Sequence, residues 1–252
     1  MIKRSMHVST LAKGWVNRAG RPLTLCVACL APRSPGGLCA PCRASLPLNR
    51  QSCRQCALPL PTAAADLRCG ECLRDPPHFQ RALAPWCYQF PVDRLISHYK
   101  YQRQYACGRP LIDGLVQHLH DQGCFTPPRR PELIIPSPMH PDKRRQRGFN
   151  QAEDMAERVS RCAGIPWSVN VLQRIRRTAP QSGLDRHQRL TNLSNLYRVT
   201  GAVPARVAIV DDVVTTGATA RAMASALRRA GARNIEIWAL ARTPAPVARP
   251  RD

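Results

Sequence analysis

The chain has 252 residues, with 38 Lys and Arg against 16 Asp and Glu, and its formal net charge of +22 is carried mostly by Arg, since only four Lys occur. That length suits one large α/β domain, or a medium domain with a small appendage, and the apolar content is sufficient for a sizeable core. No apolar run approaches the ~20 residues of a membrane-spanning helix, no apolar h-region follows the basic start, and neither G-x-x-x-x-G-K-[ST] nor G-x-G-x-x-G occurs, which argues against a membrane anchor, a secretory signal, a P-loop ATPase and a dinucleotide fold.

Residues 1–25 are basic and weakly patterned; Leu11 to Val16 could form a helical turn, and no function is assigned to the segment. Residues 26–75 carry four C-x2-C knuckles: Cys26 and Cys29, Cys39 and Cys42, Cys53 and Cys56, Cys69 and Cys72. Eight thiolates at that spacing suit two closed, tetrahedral, structural Zn2+ sites, with pairing in sequence order favoured over interleaving. Disulfides fit poorly in a chain read as cytoplasmic, and redox C-x-x-C chemistry does not need four copies. The segment has few large apolar residues, so metal has to substitute for a core. Arg33, Arg43, Arg50, Arg54, Arg68 and Arg74 interleave with the knuckles, which is compatible with an adaptor for nucleic acid or protein and equally with a structural cap. Even after two zinc sites lower the net charge to about +18, the chain stays basic, which favours polyanions such as nucleic acid or phosphorylated small molecules. A general Arg bias with solvated faces accounts for the same count.

Residues 73–80 read as a linker. Arg81 to Phe90 reads as a strand with Trp86 and Tyr88 on one face. Cys87, Cys107, Cys124 and Cys162 lack knuckle partners and read as small buried apolar residues. Lys100 lies between Tyr99 and Tyr101 and is a candidate phosphate contact. Leu111, Leu115 and Leu119 mark a helix over Pro110 to His120; His118 and His120 read as surface residues that do not share a helix face. Leu133 to Ile135 is a short buried strand that runs into Pro136-Ser137-Pro138 and the basic cluster 142–147, ahead of a helix over Asn150 to Ala163 with Ala152, Met155, Ala156 and Val159 inward. Val169 to Leu172 is a further strand. Residues 174–195 are polar and basic. Val207 to Val210 is a buried strand ended by Asp211 and Asp212, a pair suited to hydroxyls or Mg2+. Thr215, Thr216, Gly217, Ala218 and Thr219 make a small-residue turn ahead of a helix over Arg221 to Ala230, stopped by Gly231. A strand, an acidic pair, a small-residue turn and a helix N-terminus form an anion cradle. Asn234 to Ala241 is the last strand, and a Pro/Arg tail follows.

Residues 207–219 resemble the signature of type I phosphoribosyltransferases. The order of zinc knuckles, Tyr99-Lys100-Tyr101, strand-Pro136-Ser137-Pro138, Arg147-Gly148-Phe149-Asn150-Gln151 and the acidic-pair loop resembles the ComF family, including its GntX-like members, from Cys26 to Thr243. Ser137 departs from the family's usual Pro-Val-Pro. The resemblance implies a double zinc ribbon at 26–75, a phosphoribosyltransferase-type parallel sheet at 81–243 and a tail at 244–252. By the same resemblance, Asp211 and Asp212 grip the ribose hydroxyls of phosphoribosyl pyrophosphate (PRPP) bound with Mg2+. Val213, Thr215, Thr216, Gly217, Ala218 and Thr219 hold its 5′-phosphate, and Pro136, Ser137 and Pro138 meet its pyrophosphate. The segment 174–195, through Arg177 and Arg186 with Thr178, Gln181, Arg189 and Asn192, closes over it. Three roles follow as alternatives: a PRPP-binding protein of DNA uptake or utilisation with single-stranded DNA as partner, an active phosphoribosyltransferase of nucleotide metabolism, or a zinc-ribbon adaptor for DNA-processing proteins.

Overall fold

The computed structural model of the chain describes residues 25–61, 67–101, 104–175 and 196–245. The turn read at Leu11 to Val16, the tail from 246 and most of the 174–195 segment lie outside these residues.

The centre is a parallel sheet. β3 (Leu133–Pro136), β6 (Arg206–Val214) and β7 (Asn234–Arg242) lie side by side, and β7 also pairs with two short strands, β1 (Arg81–Leu83) and β2 (Trp86–Cys87). The expected single strand over Arg81 to Phe90 is thus broken, because Pro85 removes a ladder donor. β4 (Leu172–Arg174) and β5 (Tyr197–Val199) form a separate antiparallel pair, so the strand expected at Val169 to Leu172 starts later.

Both faces of the sheet are covered, as an all-parallel sheet requires. On one face lie α4 (Tyr105–Asp121) and α6 (Gln151–Ala163), whose Leu111, Leu115, Leu119, Met155, Ala156 and Val159 pack with Ile134, Ala208, Val210 and Trp238. On the other lies α7 (Ala218–Arg229), whose Met223, Ala224 and Leu227 pack with Ile135, Val207, Ile209 and Ile237. Neighbours along each strand therefore point to opposite layers. α4 approaches so closely that a Cβ at Gly114 would lie 2.5 Å from the Trp86 ring.

The ribbon is built from the knuckles and two one-turn helices, α1 (Ala40–Ala44) and α2 (Gly70–Arg74). The first knuckle pair joins the α4/α6 core through Cys26, Leu38 and Leu46; the second joins the α7 core together with Phe79, Ala82 and Ala84. The metal-held segment thus straddles the sheet edge and sends one thiolate cluster into each hydrophobic layer.

The described residues also form α3 (Val92–Tyr101) and α5 (Pro141–Arg147). The basic cluster after Pro138 is helical rather than loop. Cys107 and Cys124 are buried, and burial pushes the Cys124 thiol up to about 12. Cys162 is exposed and Cys87 half-buried, contrary to expectation: Cys162 falls on the outer face of α6. His120 is exposed, whereas His118 is half-buried and burial lowers its pKa.

Candidate functional site

The eight knuckle cysteines form two groups, Cys26, Cys29, Cys39 and Cys42, and Cys53, Cys56, Cys69 and Cys72; within each, all sulfurs lie within 4.8 Å of one another. Cys29 and Cys39 Sγ are 3.6 Å apart, as are Cys56 and Cys69 Sγ. A tetrahedron with Zn–S bonds of ~2.3 Å has edges of ~3.8 Å, so the spacing fits Zn2+ and is far too long for a disulfide. The Cys69 amide donates to Cys53 Sγ at 3.3 Å, the amide-to-sulfur bond that stabilises a knuckle thiolate. Pairing follows sequence order. All four ligands of the second site are buried, whereas Cys29 of the first is exposed.

The acidic pair lies within β6 rather than beyond its end. The strand continues through Val213 and Val214 because both pair with Ala241 and Arg242 of β7. Thr215, Thr216 and Thr219 are exposed, and Gly217 (φ 82°) caps α7, which begins at Ala218, three residues earlier than expected. The Thr216 hydroxyl accepts from the Ala218 amide at 3.3 Å. That bond partners one of the α7 first-turn amides within the loop itself.

Other parts of the chain converge on the pair. The Ser137 amide donates to the Val210 carbonyl at 2.8 Å, setting the Pro136-Ser137-Pro138 bend beside Asp211, and the Ser137 side chain hydrogen-bonds Asp211. Lys100 Nζ lies 2.9 Å from Asp212 Oδ2. Burial, then the neighbouring Asp212 charge, pushes the Asp211 carboxyl up to about 7. Two adjacent acids in a poorly solvated pocket resist carrying two charges at once.

The Arg147 to Gln151 motif is the frame behind these groups. Gln151 Nε2 donates to the Lys100 carbonyl at 3.2 Å. The Phe149 ring lies 5.7 Å from that of Tyr99, and the Arg147 guanidinium sits 4.7 Å over Tyr101. Asn150 caps α6 by accepting from Ala152 N at 3.1 Å and donates to the Ser137 carbonyl at 3.1 Å. Each residue of Tyr99-Lys100-Tyr101 is thus held by the motif, Tyr99 also donating its hydroxyl to the Gln151 carbonyl at 3.3 Å.

A residue that sequence reasoning missed closes the circle. Arg242, read as the end of the fold, is 3% exposed. Its Nη1 donates to the carbonyls of Val214 (3.1 Å), Thr215 and Thr243 (2.9 Å), and its Nε to that of Cys56 at 3.1 Å. No local pattern marked it, since an Arg directly after an apolar strand is commonplace.

A model of the double zinc ribbon domain matches residues 22–73. The chain is 34% identical over 222 residues to the DNA utilization protein YhgH of Escherichia coli O157:H7, covering 87% of this chain and 97% of that protein. It is also 34% identical over 210 residues to Competence protein F of Haemophilus influenzae, covering 82% and 90%. The chain belongs to the ComF family. A purine phosphoribosyltransferase from Pyrococcus horikoshii aligns with 22% identity and a TM-score of 0.34, over 55% of the ComF-family chain and 75% of its own.

In this ComF-family member the structure brings together Lys100, Pro136, Ser137, Pro138, Asp211, Asp212 and the Val213 to Thr219 loop. Arg177 and Arg186 lie outside the described residues; the flanking Leu172–Arg174 and Tyr197–Val199 strands pair antiparallel. Among the described residues, no helix is long and apolar enough to cross a membrane.

Proposed function

We propose that the chain binds PRPP, as its Mg2+ complex, at the carboxyl end of β6, and that it serves DNA uptake or utilisation in the cytoplasm, as the names of its relatives suggest. One observation carries the reading: an acidic pair, a Ser-bearing bend, a Lys and a helix N-terminus meet at one strand end, where open α/β sheets bind ligands. Asp211 and Asp212 accept the ribose 2′ and 3′ hydroxyls. Amides of Thr216 to Thr219 take the 5′-phosphate, aided by the α7 dipole. The Pro136-Ser137-Pro138 bend and Lys100 face the pyrophosphate. Mg2+ supplies charge neutralisation on that leaving group. If turnover occurs, Arg177 and Arg186 neutralise the departing pyrophosphate.

Calorimetric titration of PRPP tests this. Wild type binds; Asp211→Asn with Asp212→Asn lowers affinity at least tenfold. Unchanged affinity would sink the assignment. Pyrophosphate release with an added acceptor would identify an active transferase.

A second reading, single-stranded DNA as partner, is favoured by a specific surface. Arg50, Arg54, Arg68, Arg81 and Arg129 line two clefts beside the second zinc site that share Arg54, Gln80 and Arg81. Steep weakening of oligonucleotide binding with salt, reduced on charge reversal there, supports it; flat salt dependence points to a protein-docking adaptor instead.

A further inference from the structure

The Lys100–Asp212 contact differs from an ordinary surface ion pair. Its side chains are only 15% and 17% exposed. Exposed pairs contribute little, whereas a shielded pair leaves an uncompensated charge when one partner goes. Lys100 is also fixed from behind: Gln151 grips its carbonyl, and Tyr99 and Tyr101 on either side are engaged by Phe149 and Arg147. The ammonium is therefore delivered to the acidic pair by the fold.

Two neighbouring carboxylates are a poor place for a pyrophosphate. Bringing the anion close requires a cation between them, and in water that task falls to a divalent metal. Here a fixed ammonium already lies 2.9 Å from Asp212 Oδ2. It has three donors, and among the described residues Asp212 takes one; the others suit phosphoryl oxygens. Lys is a compact point charge, well suited to phosphate.

We propose that Lys100 is the built-in cation of this site, bridging Asp212 to the pyrophosphate so that PRPP binding does not depend on Mg2+. This rests on the PRPP reading above. Mg2+ can accompany the ligand, but the acidic pair does not need it. The ligand class widens accordingly to ribose 5-phosphates carrying a 1-pyrophosphate, with or without bound metal.

The test is PRPP binding across a Mg2+ titration, from metal-free buffer to millimolar, with no chelator added so that zinc is retained and its content of two per chain verified. The wild-type dissociation constant is expected to change less than threefold across the series. Lys100→Met is expected to lose at least tenfold in affinity without Mg2+ and to recover most of it as Mg2+ is added. A wild-type affinity that falls tenfold or more when Mg2+ is omitted overturns the proposal while leaving the PRPP reading intact. A Lys100→Met protein that binds as well as wild type without Mg2+ also overturns it. Failure of wild type to bind PRPP at any Mg2+ concentration removes the PRPP reading itself. If Lys100→Met does not fold, the wild-type titration alone still decides.

Discussion

Arg242 donates to the carbonyl of Cys56 at 3.1 Å from a position where its side chain is sealed from solvent. The same guanidinium holds the carbonyls of Val214 and Thr215, where the acidic-pair strand turns into the Thr/Gly loop. One buried cation thus ties the second zinc site to the proposed phosphate loop. Arg242→Met removes the donors and leaves buried carbonyls unpaired, at a cost of about 2–4 kcal/mol. Thermal denaturation should show a midpoint lower by roughly 5–10 °C. PRPP affinity should fall as well; a variant as stable as wild type would show the link to be dispensable.

The pH dependence follows from Asp211, whose carboxyl is pushed up to about 7 by burial and by Asp212. A carboxyl raised in the folded state favours the protonated fold, so its contribution to stability declines as pH rises from its ordinary value (~4) to about 7. The ligand needs the carboxylate as acceptor, so affinity runs the other way. PRPP binding should strengthen from pH 6 to pH 8 and then level off. Asp211→Asn should flatten that profile and melt higher than wild type at pH 8, by on the order of a few degrees. Identical pH profiles for the two proteins would contradict this.

The two metal sites should differ in lability. Cys29 of the first is exposed, whereas all ligands of the second are buried in the α7 layer. A zinc-binding dye should therefore extract one metal quickly and the other slowly. Cys29→Ser should leave about one zinc per chain in a folded protein, whereas Cys56→Ser should unfold a larger part, because structural zinc energy is folding energy. Equal extraction rates would argue against this asymmetry.

Gln151 touches no proposed ligand atom but holds the carbonyl of Lys100. Gln151→Ala should reduce PRPP affinity about three- to tenfold with little loss of helix. Asn150→Ala should cost about 1–2 kcal/mol, because it deletes the cap of α6 as well as the bond to Ser137. Comparing the two separates positioning from folding: calorimetry reports the first and denaturant midpoints the second.

The parts legible from sequence were those with a short-range signal. Knuckle spacing marked the zinc ligands and favoured the observed pairing, because a closed tetrahedron needs two C-x2-C pairs. Apolar runs marked β3, β6 and β7, and the spacing of Leu111, Leu115 and Leu119 marked α4. Misplacements came where tertiary pairing overrode local chemistry. Asp211 and Asp212 look like a strand terminus, yet the ladder to β7 carries the strand through them. Cys162 looks like a core residue by type, yet the helical phase of α6 turns it outward. Arg242 was invisible because its partners are carbonyls, and those carbonyls belong to segments distant in the chain. The use of Arg147 to Gln151 as a clamp on Tyr99 to Tyr101 depends on the approach of two helices, which no local pattern records.

Among the described residues β7 is the final strand, and it lies inside the sheet, bonded to β6 on one side and to β1 and β2 on the other. On a ribosome, therefore, nearly everything upstream must wait: until residue 242 clears the exit tunnel, two flanks of the sheet have nothing to zip against. The zinc ribbon, emerging before the strands of the sheet, can load its metals during that wait. Nonsense mutations even a dozen codons short of residue 242 should thus yield a chain with loaded knuckles and no enclosed centre, a fragment suited to degradation rather than to partial function.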